Sequence, residues 1–321
     1  MIKSPLKWAG GKARVMPQLL EHLPKADCLI EPFVGGGTVF MNTDYRRYVL
    51  CDSNPNLINF FIQLTGRPAD TIAACREMFN GGNDAEEFYK RRVEFNSLIQ
   101  KSDSDPDAAL LLAAYFLYLN RHTYNGLYRV NLKGEFNSPF GKYASPYFPE
   151  GEMRLFAEKA NDTKAVFVHS DFRDSIRDVM QLEHDAIIYC DPPYIPTSKT
   201  ANFTAYGKPF TLDDHRALVS TLLDVNRQHG TRSVISNSDT PETRKIYSSF
   251  NLHPLSVRRS VSAKSRYMAG EVIGVLRVCD GRGRAGGGCC PDCGPVMGDA
   301  TYAEMFLGVD PAKGFETQGA F

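Results

Sequence analysis

The 321-residue chain has no excess charge of either sign, because 37 Lys and Arg balance 37 Asp and Glu. This balance excludes a histone-like binder, so any nucleic-acid surface must come from local clustering of positive side chains. The longest apolar run, Ala108 to Leu119, is far shorter than the roughly 20 residues that span a bilayer and predicts a buried helix. The N-terminus lacks the apolar core of a secretory signal, which predicts a cytoplasmic protein with no membrane contact.

Cysteine is sparse outside one C-terminal cluster. Four cysteines are scattered through apolar segments: Cys28, Cys51, Cys75 and Cys190. A reduced thiol in such a segment behaves as a small hydrophobic side chain. The other four, with a single C-x-x-C pair, are Cys279, Cys289, Cys290 and Cys293. A structural zinc site needs four ligands at workable spacing, so two interpretations stay open: a zinc knuckle, or a flexible tail of unknown role.

Short apolar runs rich in β-branched and aromatic residues alternate with helical patterns along much of the chain. The predicted strands cover residues 29–33, 48–51, 165–168, 186–190 and 233–235. Helical spacing of apolar residues occurs at 13–22, 57–64 and 212–228. This alternation predicts an α/β fold with a doubly wound parallel sheet. It breaks at about 66–159, where a helical half leads into a segment dense in Asn, Gly, Arg, Tyr and Pro, which predicts an insertion between strands.

The tetrapeptide Asp191-Pro192-Pro193-Tyr194 directly follows the predicted strand at 186–190. Open α/β sheets bind ligands at this carboxyl edge. The prolines fix the backbone and remove two N–H donors, which leaves carbonyls and a carboxylate as acceptors for an amine. Hydrogen bonds from an aromatic amine to Asp191 and the Pro192 carbonyl would favour a pyramidal, more nucleophilic nitrogen, with Tyr194 stacked on the ring. The alternative is a proline turn that only ends a strand.

Three glycines follow another strand, in the run Glu31-Pro32-Phe33-Val34-Gly35-Gly36-Gly37. A glycine turn lets a ligand approach the backbone closely, but a dinucleotide site or tight packing alone also explains it. Asp52 ends the next strand, where a carboxylate can accept hydrogen bonds from both hydroxyls of a ribose. Together these features predict a nucleoside pocket. The alternative for Asp52 is the N-cap of a helix.

The run Lys7-Trp8-Ala9-Gly10-Gly11-Lys12 contains the only tryptophan, between two lysines. Lys12 and the glycine backbone suit a carboxylate, and Trp8 suits an adenine or a sulfonium through stacking or cation–π contact. A structural tryptophan that anchors the N-terminal segment is the alternative.

Positive charge is concentrated in two places. Between Arg121 and Tyr143 there are four Lys or Arg residues, one acidic residue and interleaved tyrosines. This composition suits a nucleic-acid surface, in which arginine can pair with guanine and tyrosine can wedge or stack, while a solvated hairpin around Lys133-Gly134 is the alternative. The second cluster, which has the charge to neutralise phosphates, consists of Arg258, Arg259, Lys264 and Arg266.

Residues from about Pro5 to Leu276 resemble the Dam-type DNA adenine-N6 methyltransferase family (D12 class, alpha motif order). The resemblance rests on motifs in family order at 6–12, 31–37, 120–143 and 191–194, with 201–206 behind the last. It implies a Rossmann-like methyltransferase sheet with a helical and hairpin target-recognition insertion. It also implies methyl transfer from S-adenosylmethionine to N6 of an adenine flipped out of double-stranded DNA, most often in GATC.

The resemblance implies a role for each matching residue. The catalytic positions are Asp191, Pro192 and Tyr194. The positions that bind S-adenosylmethionine match Trp8, Lys12, Glu31, Phe33, Gly35, Asp52 and Asp191, and more loosely Asp171 and Phe172. The DNA-binding positions match Lys7, Arg121, Tyr124, Asn125, Leu127, Arg129 and Pro139, with Arg129 expected on guanine. No metal is expected, because an in-line displacement from a sulfonium needs none.

The expected division has a catalytic domain at residues 1–65 and 160–278, a target-recognition domain at 66–159 and a Gly- and Cys-containing tail at 279–321. The expected state is a monomer with no obligate protein partner. Two other classes compete. Amino-methyltransferases that act on RNA or on protein glutamine commonly begin the tetrapeptide with Asn and do not need the 121–143 segment. A non-enzymatic DNA binder would have a damaged tetrapeptide or glycine loop, and neither is damaged in this chain.

Overall fold

The computed structural model describes residues 1–102, 104–180, 185–196, 209–262 and 265–276. Seven strands form one sheet in the order β3-β2-β1-β4-β5-β7-β6. They are β1 (Cys28–Glu31), β2 (Arg47–Asp52), β3 (Val166–His169), β4 (Ala186–Cys190), β5 (Arg232–Ser238), β6 (Phe250–Ser262) and β7 (Ser265–Leu276). Strands β1 to β5 are parallel, and β7 pairs antiparallel with both β5 and β6.

Helices cover both faces of the sheet, which confirms the predicted α/β, Rossmann-like fold class. They are α1 (Met16–His22), α2 (Thr38–Asn42), α3 (Pro55–Gly66), α4 (Pro68–Asn80), α5 (Ala85–Leu98), α6 (Pro106–His122), α7 (Glu150–Asp162), α8 (Phe172–Met180), α9 (Leu212–His229) and α10 (Pro241–Ile246), with short 3-10 turns at Lys12–Arg14 and Tyr124–Gly126. Strand residues alternate between two apolar layers. Leu29 and Ile187 face the layer that holds Phe61 and Phe116, while Ile188 faces the layer that holds α8 and α9 side chains.

The strand order reverses between β1 and β4. Ligands bind in open α/β sheets at the carboxyl ends of the strands beside such a reversal. Ile30 pairs with Ile188, and Cys190 pairs with Ile235. This register sets the ends of β1, β4 and β5 side by side at one edge of the sheet.

Helix α6 is the buried helix that the apolar run predicts. It begins at Pro106, where the Asp105 carboxylate accepts hydrogen bonds from the Asp107 and Ala108 amides. Every residue from Leu112 to His122 is buried, because α3, α4 and α5 all pack against this helix. Within the described ranges, no helix combines the length and the apolar character needed to cross a membrane.

The insertion at 66–159 contains α4, α5 and α6, followed by the predicted hairpin, here named the recognition hairpin (residues 123–143). Its strands meet at isolated bridges between Thr123 and Phe140 and between Val130 and Phe136. Asn96 on α5 braces it, because the Asn96 amide group accepts from the Phe136 N–H at 2.8 Å and donates to the Phe136 carbonyl at 3.1 Å. One apolar layer runs from the sheet into this insertion, and the proposed domain division stays a prediction.

The antiparallel pair of β6 and β7 was not predicted, because β6 is rich in polar residues and contains no continuous apolar run. Arg258 and Arg259 of the second basic cluster lie on β6, and Arg266 lies on β7. Lys264, residues 201–206 and the whole 279–321 tail with its cysteines lie outside the described residues. The four cysteines predicted to be reduced and buried, Cys28, Cys51, Cys75 and Cys190, are free and buried, which confirms that prediction.

Gly37 ends the glycine loop under conditions that only glycine meets. Its φ is 72°, and a Cβ there would lie 2.9 Å from Cε2 of Phe156. We expect Gly37→Ala to lower the free energy of unfolding by about 1 to 3 kcal/mol, because it combines left-handed backbone with a steric clash. Urea unfolding followed by circular dichroism measures this. Gly151→Ala is the control, because Gly151 lies on α7 with open space around its Cα; equal losses in both variants would contradict the prediction.

Candidate active site

Asp191 lies at the carboxyl edge of the sheet, one residue after β4 and beside Ser236 on β5. Its Oδ2 lies 2.5 Å from Lys12 Nζ, and its Oδ1 accepts a hydrogen bond from Ser236 Oγ at 2.9 Å. Burial raises the pKa of Asp191, and the Lys12 ammonium and the Ser236 hydroxyl oppose this rise. Both carboxylate oxygens are therefore held by donors.

Lys12 places its ammonium inside this site, where the residue is only 5% exposed. Its ammonium donates to the Gly10 carbonyl at 2.7 Å and lies 4.8 Å from the centre of the Tyr194 ring. A carboxylate oxygen and an aromatic face thus surround one nitrogen. These are the two groups that the tetrapeptide was predicted to offer to an amine.

Side chains from β5 and β7 hold the tetrapeptide in place. The Tyr194 hydroxyl donates to Glu271 Oε2 at 3.1 Å. The next residue, Ile195, donates its amide to Asn237 Oδ1 at 2.9 Å, and its carbonyl accepts from Ser238 Oγ at 2.5 Å. Pro192 is buried beneath this turn. The tetrapeptide is therefore a braced element, more than the simple end of a strand.

The glycine loop and Trp8 form one wall at the end of β1. Gly35 has a φ of 48°, and a Cβ on it would lie 3.0 Å from the Trp8 ring; a Cβ on Gly36 would lie 2.8 Å from Trp8 Cβ. The indole also stacks on Tyr128, with ring centres 6.3 Å apart. Trp8 therefore has the structural role given as the alternative, and its contact with a ligand stays a prediction.

Glu31 is a buried carboxyl group where β1 meets the glycine loop. It is 2% exposed, and its Oε1 has no hydrogen-bond partner in the described part of the chain. Burial raises the pKa of Glu31 well above its ordinary value, and the charge of Asp191 adds to this effect. A buried acceptor without a donor is costly, so this oxygen suits a ligand that brings a donor or a positive charge.

Asp52 follows the sequence prediction of a strand-end acceptor. Its Oδ2 accepts from the Gly35 amide at 3.0 Å, and its Oδ1 accepts from the Asn54 amide at 3.0 Å. Burial raises the pKa of Asp52 to about 6, against the effect of these backbone hydrogen bonds. The N-cap of α3 is Asn54, whose side chain accepts from the first amides of the helix. The N-cap alternative therefore belongs to Asn54, while Asp52 is tied to the glycine loop.

Aromatic side chains extend the same edge beyond Asp52. The rings of Phe33 and Phe172 stack with centres 5.5 Å apart, and the edge of Phe210 meets Phe33 at 5.8 Å. Asp171 is exposed and accepts from the Arg173 amide at 2.9 Å, which stabilises the first turn of α8. Phe33 and Phe172 thus lie together, whereas the Asp171 side chain caps the first turn of α8, and the cofactor contacts of all three stay predictions.

The predicted DNA-binding residues lie mostly on the recognition hairpin. Tyr124, Asn125, Arg129 and Pro139 are exposed, and Leu127 is half-buried. Asn137 holds the Arg129 guanidinium, because its Oδ1 accepts from Nε at 2.8 Å and its carbonyl accepts from Nη2 at 3.2 Å. The Asn125 amide donates to the Tyr143 hydroxyl at 2.8 Å. The hairpin therefore presents an oriented arginine and an exposed tyrosine.

Lys7 joins this surface from the N-terminal segment. Its ammonium lies 4.1 Å from the centre of the Tyr143 ring. Its amide and carbonyl pair with the Asn120 side chain at 2.9 and 2.7 Å. A Cβ on Gly126 would lie 2.4 Å from the Lys7 carbonyl oxygen, so the segment and the hairpin base are in direct backbone contact.

Arg121 lies apart from the exposed residues predicted to bind DNA, and its own predicted DNA contact stays a prediction. It is 7% exposed, and its guanidinium donates to the Pro5 carbonyl from Nε at 3.1 Å and from Nη2 at 2.5 Å. Helix α6 runs beneath the N-terminal segment at this point and turns the side chain inward. Arg121 therefore anchors that segment.

Sequence reasoning missed three residues that brace the acceptor motif, namely Tyr189 on β4, Ser236 on β5 and Glu271 on β7. Ser236 and Glu271 lie far from the tetrapeptide in sequence, and only the pairing of β4 with β5 and of β5 with β7 brings them close. The one signal for Ser236 is its position directly after the predicted strand at 233–235.

Comparison with known proteins identifies one family and several similar relatives. The family described as D12 class N6 adenine-specific DNA methyltransferase matches residues 8–261. The DNA adenine methylase of Escherichia coli (strain K12) is 45% identical over 260 residues, which cover 80% of this chain and 88% of the relative. That of Serratia marcescens is 43% identical over 276 residues, 85% of this chain and 97% of the relative. That of Vibrio cholerae is 43% identical over 258 residues, 80% and 89% of the two chains.

The seven-stranded sheet with helices on both faces is that of a Rossmann-like methyltransferase. Within that class, the chain belongs to the D12 class N6 adenine-specific DNA methyltransferase family. It is therefore an enzyme that methylates adenine in DNA, and the family named in the sequence analysis is confirmed.

Arg121 gives a test of the structural role assigned to it. We expect Arg121→Met to lower the free energy of unfolding by about 1 to 3 kcal/mol, because the buried Pro5 carbonyl loses its charged donor, and to leave the choice of DNA sequence unchanged. Chemical denaturation and methylation of a set of oligonucleotides measure the two effects. Arg129→Ala is the control for stability, since that side chain is exposed. Full stability with altered sequence choice in Arg121→Met would restore its DNA-contacting role.

Proposed function

We propose that the enzyme transfers a methyl group from S-adenosylmethionine to N6 of an adenine that is flipped out of double-stranded DNA, most often in GATC. Asp191, Pro192 and Tyr194 are its catalytic residues. The observation that carries this proposal is the nitrogen of Lys12, which lies 2.5 Å from Asp191 Oδ2 and 4.8 Å from the Tyr194 ring centre. The carboxylate and the ring form a place for an amine before any substrate binds.

The residues at the edge of the sheet fit S-adenosylmethionine. Glu31 Oε1 is a buried acceptor with no partner among the described residues, which matches a ligand with an amino group. The backbone of Gly35 and Gly36 packs directly against Trp8, because a Cβ on either glycine would meet that side chain, and Asp52 is a strand-end acceptor for ribose hydroxyls. Trp8, Lys12, Phe33, Asp171, Phe172 and Asp191 complete the proposed cofactor set.

When bound, the cofactor supplies a methyl group on a positively charged sulfur. Asp191 accepts an N–H of the adenine amine and binds it more strongly as positive charge develops on N6, so the interaction favours the transition state over the ground state. The same carboxylate takes the proton that N6 loses. Positioning of the amine by Asp191, the Pro192 carbonyl and Tyr194 supplies most of the acceleration, because good orientation is worth roughly 7 to 11 kcal/mol.

An adenine inside a duplex cannot reach this edge of the sheet. Extrusion of the base costs a few kcal/mol in lost stacking and pairing. The Tyr194 ring, held by Glu271 through its hydroxyl, offsets part of that cost by stacking on the extruded base.

The recognition hairpin reads the DNA in this proposal, and residues 66–159 form the target-recognition domain. Arg129 pairs with guanine, while Lys7, Tyr124, Asn125, Leu127 and Pro139 complete the contact surface. Because positive charge on this chain is local and its net charge is zero, we expect a moderate salt dependence of binding from a few phosphate contacts.

The two competing functions fit less well. The tetrapeptide begins with Asp, and the hairpin presents an oriented arginine that RNA or protein glutamine methylation does not require. A DNA binder without activity would not need a braced acceptor site. We further propose a monomer that acts on DNA in the cytoplasm, with no metal and no obligate protein partner.

Substitution of the acceptor carboxylate tests the assignment directly. We expect Asp191→Ala to abolish methylation, because the carboxylate that accepts the amine is lost, while the fold persists. The measurement is protection of GATC-containing plasmid from a nuclease that N6-methyladenine blocks, with circular dichroism as the check on folding. Asp213→Ala is the control, since this α9 carboxylate is 89% exposed. Wild-type turnover by Asp191→Ala would refute the assignment.

Removal of the hairpin arginine tests how the sequence is read. We expect Arg129→Ala to relax discrimination at one base pair by about 1 to 3 kcal/mol with little loss of rate on the preferred site. Methylation of duplexes that vary one base pair at a time measures this. Lys133→Ala is the control, because Lys133 is another exposed cation of the same hairpin. If the pattern of methylated sites does not change, base reading lies elsewhere.

A further inference from the structure

Ser236 touches the acceptor carboxylate from the neighbouring strand. It lies on β5 and is 3% exposed. Its Oγ lies 2.9 Å from Asp191 Oδ1 and 3.0 Å from the Tyr189 hydroxyl. Three buried polar groups from β4, its following turn and β5 are thus joined in a row.

The direction of these hydrogen bonds follows from the donors available. An ionised carboxylate only accepts, and a serine hydroxyl carries a single proton, so Ser236 must donate to Asp191. The Tyr189 hydroxyl must then donate to Ser236 Oγ. Burial raises the pKa of Tyr189 well above its ordinary value, which keeps that proton in place. The row therefore runs from Tyr189 to Ser236 to Asp191, and hydrogen bonds in such a chain polarise and strengthen one another.

This arrangement fixes the rotation of the carboxylate. Oδ1 is tied to β5, so Oδ2 faces the Lys12 ammonium, which lies over the Tyr194 ring. A carboxylate free to turn would present either oxygen at varied angles. Loss of orientation at a reacting centre reduces the rate strongly even when the groups themselves are present.

We propose that Ser236, backed by Tyr189, is a positioning residue that turns Oδ2 of Asp191 toward the adenine amine. The inference rests on the proposed role of Asp191 and adds a residue outside the tetrapeptide. Ser236 itself touches neither substrate nor cofactor in this account. It acts through the carboxylate that it holds, and it also forms a hydrogen bond with the Tyr194 side chain.

The effect of pH follows from the groups around Asp191. Lys12 faces it from the N-terminal segment, Glu31 from β1, Tyr189 from β4, Tyr194 from the tetrapeptide and Glu271 from β7. Burial and Glu271 raise the pKa of Asp191, whereas Lys12 and Ser236 lower it. Removal of the Ser236 hydroxyl takes away one of the lowering contacts, so the carboxyl binds its proton at higher pH. The ionised form of Asp191 accepts the amine. When the solution is acidified, the variant without the Ser236 hydroxyl should therefore lose activity at a higher pH than the wild type.

The test compares Ser236→Ala, Tyr189→Phe and the double variant with Ser233→Ala. Ser233 is buried on the same strand, and its hydroxyl has no partner among the described residues, so Ser233→Ala removes an equivalent group without breaking a hydrogen bond. We expect kcat to fall about 10-fold in Ser236→Ala, the loss typical of one charged hydrogen bond. Tyr189→Phe should show a smaller fall, and the double variant should be no worse than Ser236→Ala, because Tyr189 acts through Ser236.

Two readouts separate positioning from a general structural effect. The acid limb of the kcat profile should move to higher pH in Ser236→Ala and stay in place in Ser233→Ala. Carbon-13 NMR can follow the titration of the aspartate carboxyl groups in the enzyme without cofactor or DNA. The Asp191 signal is assigned by its loss in Asp191→Ala, and its pKa should be higher in Ser236→Ala than in the wild type.

Unchanged kcat and an unchanged Asp191 titration in a folded Ser236→Ala would overturn the inference. So would additive losses in the double variant. If Asp191→Ala keeps its activity, the proposed function of the tetrapeptide fails instead, and the two failures are thereby distinguished.

Discussion

The pairing of Asp191 with Lys12 beneath the Tyr194 ring is the interaction around which the site is organised. Both charges are largely removed from water, with side-chain exposure of 6% for Lys12 and 21% for Asp191. Breaking a buried pair by removal of one partner is costly, because the remaining charge has no compensation. The fold avoids that cost with donors from β5 and from the N-terminal segment, and it does so at the strand reversal where ligands bind. The Lys12 ammonium already satisfies the Asp191 carboxylate. An incoming amine can therefore enter the site by exchange with this ammonium.

The segment from Lys7 to Lys12 connects the two halves of the enzyme. Lys7 contacts the base of the recognition hairpin, and Trp8 lies between the glycine loop and Tyr128 of the hairpin. Lys12 reaches Asp191. One short stretch of backbone therefore contacts the hairpin, the glycine loop and Asp191. Arg121 also helps to hold this segment, because its guanidinium donates to the Pro5 carbonyl just before it.

Local sequence patterns were sufficient to predict where strands end and which residues follow them. Apolar runs followed by Asp or Gly at 31–37, 52 and 191–194 predict strand ends, and parallel strands bring those ends to one edge. It was insufficient where the outcome depends on strand order or helix rotation. Ser236 and Glu271 reach the site only through the order β4-β5-β7. The basic character of Arg121 predicts an exposed contact, but its place on a buried helix turns it inward. The polar composition of β6 does not predict a strand. Its pairing with β7 is what stabilises it.

The central claim is that the edge of the sheet delivers the amine of one adenine in double-stranded DNA to the methyl group of S-adenosylmethionine. The most direct measurement supplies S-adenosylmethionine with a tritiated methyl group, together with a duplex that contains a single GATC, an RNA of the same sequence and a duplex whose GATC adenine is replaced by purine without the amino group. Digestion to nucleosides should place the label in N6-methyldeoxyadenosine from the first substrate only. Label on RNA, on another base, or on the purine duplex would contradict the account.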